Sequence, residues 1–295
     1  MNKANMINKG SCILRIKGLY DSLKSAEKRL VDYILQNPEE TVNSTMEELG
    51  AKSDSSYATI SRFCKKVGFN GFKDFKNSLI QDVMRNNSIE DNIKDFTIAK
   101  NASVATVCEK IFDFSCKILE DSISILDVST IEKAVDKILA AKAVHFIGAG
   151  TSGVSARYAF TKFFRLGISC FYESDPVIFK MKASILSDMD VLFAISSSGR
   201  TASIVESARI AKKNNTCVIS LSDFAISPLT KASDINLYTT PRNTSLFLNM
   251  EMPLIIGQIT LIDIIYSCCN IRLAEKASDL FHRTKDSADE EKIQN

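Results

Sequence analysis

Residues 143–153 read Ala143-Val144-His145-Phe146-Ile147-Gly148-Ala149-Gly150-Thr151-Ser152-Gly153, and the change of character at Gly148 decides how the rear of the chain folds. Five residues rich in branched and aromatic side chains predict a buried strand, and the glycine- and hydroxyl-rich run after them predicts a tight loop. From about 154 to 166 the apolar residues recur at helical spacing. The same alternation continues outward, with strands predicted over 168–172, 191–195, 217–221 and 235–238, a helix over 201–213 and a long apolar helix over 250–271. Strands alternating with helices at these lengths predict a five-stranded parallel sheet flanked by helices.

Forward of this region the pattern is helical only. Ser25 is placed to cap a helix carrying Leu30, Val31, Ile34 and Leu35 on one face, and Asn37-Pro38 stops it. Thr45-Met46-Glu47-Glu48 has the spacing of a capping box, Thr at the N-cap and Glu at the third helical position. Asp54, Ser55 and Ser56 offer another cap before a helix over 57–67, which Gly68 ends; a further helix runs through Phe72, Phe75 and Leu79. Residues 86–100 are polar and aperiodic, as a linker is. Helical spacing returns over 104–126 (Val107, Ile111, Phe114, Ile118), and Ser129-Thr130-Ile131-Glu132 reads as a second capping box, opening a helix that ends near Lys142. The expected division is a helix-turn-helix domain over 1–85, a linker over 86–103 and an α/β domain over 104–295 with its core at about 130–275.

A chain of 295 residues suits two domains, and 45% hydrophobic, 24% charged residues and 5 prolines describe a globular protein. Charge is uneven: 14 Lys and Arg against 10 Asp and Glu over residues 1–85, then 23 against 25. A basic front half suits nucleic-acid contact confined to that half. The 8 cysteines include no C-x-x-C pair and there are only 2 histidines, which argues against a zinc site and for free thiols in a reducing compartment. Residues 1–10 lack the apolar core of a signal peptide, and the most hydrophobic window, 253–265, is interrupted by Gln258, Thr260 and Asp263. A cytoplasmic location with no membrane association is expected.

On a helix at 100° per residue, Ile60, Phe63, Cys64 and Val67 share one face, while Ala58, Arg62, Lys65 and Lys66 point the other way with Thr59 and Ser61 at the flanks. A small, hydroxylated, basic face suits the major groove, where Arg62 bonds a guanine edge and the lysines neutralise phosphates. The short helix after Thr45 supplies the preceding element of the motif. Spacing alone fits a solvated amphipathic helix equally well. Two stretches go further: Ala26-Glu27-Lys28-Arg29-Leu30-Val31-Asp32-Tyr33-Ile34-Leu35-Gln36-Asn37-Pro38, and Ser56-Tyr57-Ala58-Thr59-Ile60-Ser61-Arg62-Phe63-Cys64-Lys65-Lys66-Val67-Gly68-Phe69-Asn70-Gly71-Phe72. Both resemble RpiR/MurR-type regulators, whose recognition helix and exit carry the second pattern. The resemblance implies that Ser56, Tyr57, Ala58, Thr59, Ser61, Arg62, Lys65 and Lys66 face double-stranded operator DNA. Asp54 stands where that family usually has Gly, and Tyr57 where Glu is frequent; Asp tolerates the left-handed region, so the turn should survive.

Two loops lie between a strand and a helix: Gly148 to Gly153, and Ser196-Ser197-Ser198-Gly199-Arg200-Thr201. Such loops present backbone N–H groups beside a helix N-terminus, and their hydroxyls add donors that rotate to fit phosphate oxygens. The rival is a dinucleotide site, since Gly148-x-Gly150-x-x-Gly153 fits G-x-G-x-x-G and Glu173 or Asp175 stands at the distance of the ribose-binding carboxylate. The hydroxyls of the second loop, which a dinucleotide does not need, favour a terminal phosphate. From about 130 to 275 the chain is similar to a sugar isomerase (SIS) domain, through Ile147 to Ser152, Ile195 to Thr201, Ser227-Pro228-Leu229 and Ala232-Ser233-Asp234. The similarity implies that Ser196, Ser198 and Thr201 hold a sugar phosphate with backbone help from Ser197 and Gly199, while Gly150, Thr151 and Ser152 line the first loop and Ser152 contacts a sugar hydroxyl. Ser197 stands where Tyr, His or Gln is common.

SIS domains also serve aldose–ketose isomerases, which need a base. Only His145, His282 and Glu251 are available for such work, and structural roles suit all three better. The expected protein is a transcriptional regulator with no catalytic residue, cofactor or metal. Its expected partners are operator DNA, a phosphorylated sugar effector and further copies of itself, as a dimer or tetramer.

Overall fold

The computed structural model describes residues 11–87, 98, 101–240, 245–247, 250–251 and 255–289. It divides into two compact units, the first comprising Met1–Leu126, Phe224–Ile226 and Thr240–Met252, the second Asp127–Asp223, Ser227–Thr239 and Pro253–Asn295. The linker expected over 86–103 falls mostly outside the described residues.

The first unit is built of α1 (Cys12–Leu19), α2 (Ser25–Gln36), α3 (Pro38–Asn43), α4 (Met46–Lys52), α5 (Tyr57–Lys66), α6 (Phe72–Asn87) and α7 (Val104–Ile125). The last of these groups with the front helices, whereas the sequence reading attaches it to the rear domain. Leu30, Val31 and Ile34 from α2 meet Ile60, Phe63 and Cys64 from α5 and Phe75 and Leu79 from α6 in one core. Phe75 anchors it, with the rings of Phe63 and Phe69 edge-on at 5.9 and 5.7 Å. α1 is tied down by a buried carboxylate: Asp82 accepts from the Ser11 hydroxyl at 3.0 Å and from the Ile13 N–H at 2.9 Å.

Two helix starts differ from expectation. α2 is capped at Lys24, whose N–H donates to Glu27 at 2.9 Å, so Ser25 is already helical. α8 (Val128–Ala140) starts from Asp127, whose carboxylate accepts from the Ser129 N–H at 3.0 Å and from the Thr130 hydroxyl at 2.8 Å. An ionised acceptor beside two hydroxyls outcompetes a serine cap. Pro38 does end α2, but it then occupies the first turn of α3, where its missing N–H costs nothing.

The second unit is a parallel sheet of β1 (Ala143–Gly148), β2 (Cys170–Glu173), β3 (Asp190–Ile195), β4 (Cys217–Asp223) and β5 (Ile235–Thr239), in the order β2-β1-β3-β4-β5. Between the strands lie α9 (Thr151–Phe163), α10 (Pro176–Ile185), α11 (Ala202–Lys213) and the single turn α12 (Pro228–Lys231). Leu192, Ala194 and Val218 pack against Phe179 and Ala183 of α10 and Ile204, Val205 and Ala208 of α11. On the opposite face the Phe146 ring lies 5.5 Å from Phe163 of α9 and 5.4 Å from Phe193. Burial on both faces is why β3 reads as a continuous apolar run from Val191 to Ile195.

α10 escapes a reading by apolar period, although Asp175 caps it through the N–H groups of Val177 and Ile178 and Pro176 fills its first position. The final helix, α13, spans Ile256–Asp289 with non-helical backbone at Ala274, rather than 250–271. Met250–Glu251 is instead a short strand paired with Ser245–Phe247; Pro253 disfavours helical backbone in the residue before it, which works against a helix running from 250. Among the described residues no helix is long and apolar enough to cross a membrane.

Phe63 is fully buried at the meeting of α2, α5 and α6. Phe63→Ala is expected to destabilise the first unit by about 3–5 kcal/mol through lost burial and a residual cavity, read as a lower urea midpoint by circular dichroism.

Candidate functional site

In the first unit, α4 and α5 form a helix–turn–helix. Thr45 and Glu48 make a reciprocal cap at the start of α4: the Glu48 N–H donates to the Thr45 hydroxyl at 3.2 Å and the Thr45 N–H donates to the Glu48 carboxylate at 2.7 Å. That backbone donor holds the Glu48 carboxyl below its ordinary range. The turn is set by Asp54 at φ 48°, the left-handed conformation that the sequence assigns to a glycine substitute, and by the Ser55 N–H bonded to the Gly50 carbonyl at 2.9 Å. Gly50 is needed there, because a Cβ would come within 2.8 Å of the Ser55 carbonyl oxygen.

Ser56 caps α5, accepting from the Thr59 N–H at 3.2 Å, and the two hydroxyls lie 2.9 Å apart. These hydroxyls therefore shape the helix end as well as its surface. Ile60, Phe63 and Cys64 point into the core, where burial pushes the Cys64 thiol up to about 12. Tyr57, 71% exposed, stands with Ala58, Arg62 and Lys65 on the outer face, and Ser61 is half-buried. Arg62 lies back along the helix, its Nε donating to the Ala58 carbonyl at 3.3 Å.

Lys66 is different. Its ammonium reaches α2, 2.8 Å from Glu27, and bonds the Ser22 carbonyl at 3.3 Å. Burial opposes ionisation of Glu27, but the Lys66 hydrogen bond and the Lys24 N–H outweigh it and hold the carboxyl below its usual value. A helical wheel puts Lys66 with Lys65; the tertiary fold ties it to α2.

In the second unit, both hydroxyl-rich loops leave adjacent strands. The chain passes from β1 to β2 on one side and resumes at β3 on the other, so β1 and β3 flank the point where the strand order reverses. Crevices at the carboxyl ends of strands on either side of such a reversal are where open α/β sheets bind ligands. The loop after β3 is a tight turn, with the Gly199 N–H on the Ser196 carbonyl at 2.9 Å and the Gly199 carbonyl taking the Leu229 N–H at 3.0 Å. Gly199 sits at φ 62°, and a Cβ there would lie 2.1 Å from the Ser227 hydroxyl.

Within this loop the buried Ser196 hydroxyl and the half-buried Thr201 hydroxyl are 3.1 Å apart. Thr201 is the N-cap of α11 without a side-chain capping bond, so its hydroxyl is not spent on the helix start. Ser198 is exposed and accepts from the Arg200 N–H at 3.3 Å. The Ser152 hydroxyl, buried in the first turn of α9, reaches across to the second loop, 3.4 Å from both the N–H and the hydroxyl of Ser197. Gly150, at φ 58°, and Thr151 are exposed beside it. The fold thus brings Ser152 of one loop to Ser197 of the other, and Ser196 to Thr201. Gln258, the third residue of α13, also bonds Ser197 at 2.8 Å; sequence reasoning treats it only as a polar break in an apolar window.

The carboxylates that a dinucleotide would need are otherwise engaged. Glu173 accepts from the N–H groups of Ser174 and Asp175 at 2.8 and 3.3 Å, and Asp175 caps α10. His145 lies mid-strand, stacked on Phe171 at 4.9 Å, and burial, with help from Lys182, lowers its pKa. His282 is exposed in the rear half of α13, and the side chain of Glu251 lies outside the described residues.

A family model for the helix-turn-helix domain of the rpiR family matches residues 11–86, and one for the SIS domain matches residues 137–266. An uncharacterized helix-turn-helix-type transcriptional regulator of Clostridium perfringens is 34% identical over 242 residues, 82% of this chain and 86% of that protein. The transcriptional regulator HexR of Escherichia coli K12 is 30% identical over 287 residues, 95% of this chain and 94% of its own. The Vibrio vulnificus NanR protein, solved in complex with ManNAc-6P, shares the fold with a TM-score of 0.59 at 23% identity, covering 96% of this chain and 100% of that one.

Gly199→Ala is expected to open the loop after β3, since the new methyl group meets Ser227 and strains the backbone. A melting temperature lowered by several degrees, read by circular dichroism, is the expected outcome.

Proposed function

The chain belongs to the rpiR family of helix-turn-helix transcriptional regulators, and on that premise we propose that its operator binding is controlled by a phosphorylated sugar held in the SIS domain. The observation that carries this reading is the pair of hydroxyl-rich loops at the ends of β1 and β3, with Ser196 and Thr201 hydrogen-bonded at the N-terminus of α11. A phosphate there meets the unpaired N–H groups of the first helical turn, the positive end of the helix dipole and two hydroxyl donors together. Ser198 completes the cradle, Gly199 holds the tight turn that shapes it, and Gly150, Thr151, Ser152 and Ser197 line the side towards the sugar. That NanR was solved with ManNAc-6P is consistent with this effector class. In this reading the domain senses and does not catalyse: His145 is committed to the sheet, and neither loop contains a histidine or carboxylate. Cytoplasmic location follows from acting on DNA.

α5 is the proposed recognition helix. Arg62 reads a base edge, Lys65 meets a phosphate, and Tyr57, Ala58, Ser61, Ser56 and Thr59 line the approach. Lys66 contributes less, because engaging DNA costs it Glu27. We also infer a homo-oligomer. α13 turns Leu261, Ile262, Ile265 and Cys269 inward, whereas α7 buries only Ser124 and Ile125 of its 22 residues. Val104 and Phe112 are 81% and 74% exposed, and Val107, Ile111, Phe114 and Ile118 are only half-buried. A surplus apolar face of this length suits a symmetric partner, and symmetry implies inverted half-sites in the operator.

Arg62→Ala is expected to weaken operator binding by about 1–3 kcal/mol, while Lys65→Ala weakens all sequences alike and reduces the salt slope by about 1. The sensor is tested by operator affinity against a panel of sugar phosphates. Ser198→Ala with Thr201→Ala should abolish the response to the active sugar and keep ligand-free DNA binding; a double mutant that responds as wild type does puts the cradle elsewhere. Light scattering at micromolar concentration should give a multiple of the 32.7 kDa chain mass, and Phe112→Asp should lower it.

A further inference from the structure

Gln258 is a buried amide in a mostly apolar stretch of its helix. It lies in the first turn of α13, 2% exposed, and both ends of its side chain are used. Its Oε1 accepts from the Ser155 hydroxyl of α9 at 2.7 Å, and its Nε2 donates to the Ser197 hydroxyl at 2.8 Å. Ser155 is fully buried. Ser197 is in turn 3.4 Å from the Ser152 hydroxyl. The order of these contacts is Ser155, Gln258, Ser197, Ser152: a line of hydrogen bonds from inside α9 to the two loops.

A hydroxyl has one proton and an amide has distinct donor and acceptor ends, so such a line has a direction. Ser155 gives its proton to Oε1, which fixes the amide with its nitrogen towards Ser197. Accepting from Nε2, Ser197 directs its own proton away from α13. Ser196 and Thr201 form a second pair, 3.1 Å apart. The site therefore contains two sets of hydroxyls, one suited to phosphate and one held from behind by a buried amide.

We propose that Gln258 is a positioning residue of the effector site: clamped by Ser155, it orients the Ser197 hydroxyl, and so governs how the Ser152–Ser197 edge discriminates between sugars. The proposal rests on the reading of the two loops as a sugar-phosphate site. Selectivity for the sugar is thus decided partly by a side chain behind the loops, on an element the loop motifs do not include.

Gln258→Glu tests the direction of the line. An ionised carboxylate accepts at both oxygens, so Ser197 turns its proton towards α13; a protonated one donates again and restores the original arrangement. Burial raises the pKa of an introduced carboxyl, bringing that change into a workable pH range. Wild type, Gln258→Glu, Ser197→Ala, the double mutant and Ser155→Ala are titrated by calorimetry between pH 6 and 9. The probes are inorganic phosphate, glucose 6-phosphate, fructose 6-phosphate and N-acetylmannosamine 6-phosphate. Relative to wild type, Gln258→Glu should bind the preferred sugar phosphate roughly tenfold more weakly at high pH, the scale of one hydrogen bond, and recover as pH falls. In the Ser197→Ala background that pH dependence should vanish, and Ser155→Ala should lower the ratio of sugar-phosphate to inorganic-phosphate affinity. A wild-type pH course in Gln258→Glu overturns the proposal. So does a pH dependence that survives without the Ser197 hydroxyl, since the new charge would then act on the anion directly. If Gln258→Glu does not fold, an unchanged affinity ratio in Ser155→Ala overturns it instead. If no probe binds wild type, the site reading fails and this proposal with it.

Discussion

The parallel pairing of β1 with β3, in register from Ala143 opposite Asp190 to Gly148 opposite Ile195, brings the two hydroxyl-rich loops to one edge of the sheet. Parallel strands end at the same side, and neighbouring strands lie about 4.8 Å apart. Two loops that are 45 residues apart in the chain therefore share hydrogen bonds between Ser152 and Ser197. The reversal of strand order at this pair sends α9 and α11 to opposite faces of the sheet. Glycine supplies the remaining condition. At Gly148 a Cβ would lie 2.5 Å from the Ser152 carbonyl oxygen, so the close approach of strand and helix that buries Ser152 depends on its absence.

The two loops use hydroxyls in different ways. Ser196 and Thr201 pair with each other, 3.1 Å apart, and a hydroxyl in such a pair can turn its proton to suit another acceptor. Ser197 is held by an amide that is itself held. Buried polar groups in a satisfied network are stiff because breaking any one bond strands the others. A stiffly held hydroxyl at Ser197 therefore stands beside a more adaptable pair at Ser196 and Thr201.

A regulator must convert occupancy into altered DNA affinity, and only states that bind the sugar unequally are shifted by it. The coupling is reciprocal, so DNA changes sugar affinity by the same factor. α5 meets the complementary demand of rigidity: its start is capped by Ser56, its inner face is locked by Phe63 against Phe75, and Lys66 pins its last turn to α2. The exposed Tyr57, Ala58, Arg62 and Lys65 are presented from a helix with little freedom to turn.

Local chemistry was legible in the sequence. The capping box at Thr45, the left-handed turn at Asp54, the two faces of α5, the strand–loop–helix units and the serines of the second loop all depend on residues within about five positions of one another, and each is where the sequence puts it. Caps were misjudged where two short-range candidates competed, as with Asp127 against Ser129. Only the tertiary structure decided the strand order, the capture of Lys66 by Glu27 39 residues away, and the recruitment of Gln258, which bonds Ser155 and Ser197 across 103 and 61 residues. The reason is physical: a periodic pattern records which way a side chain faces on its own helix, but not which element packs opposite, and a buried amide reveals its purpose only through its partners.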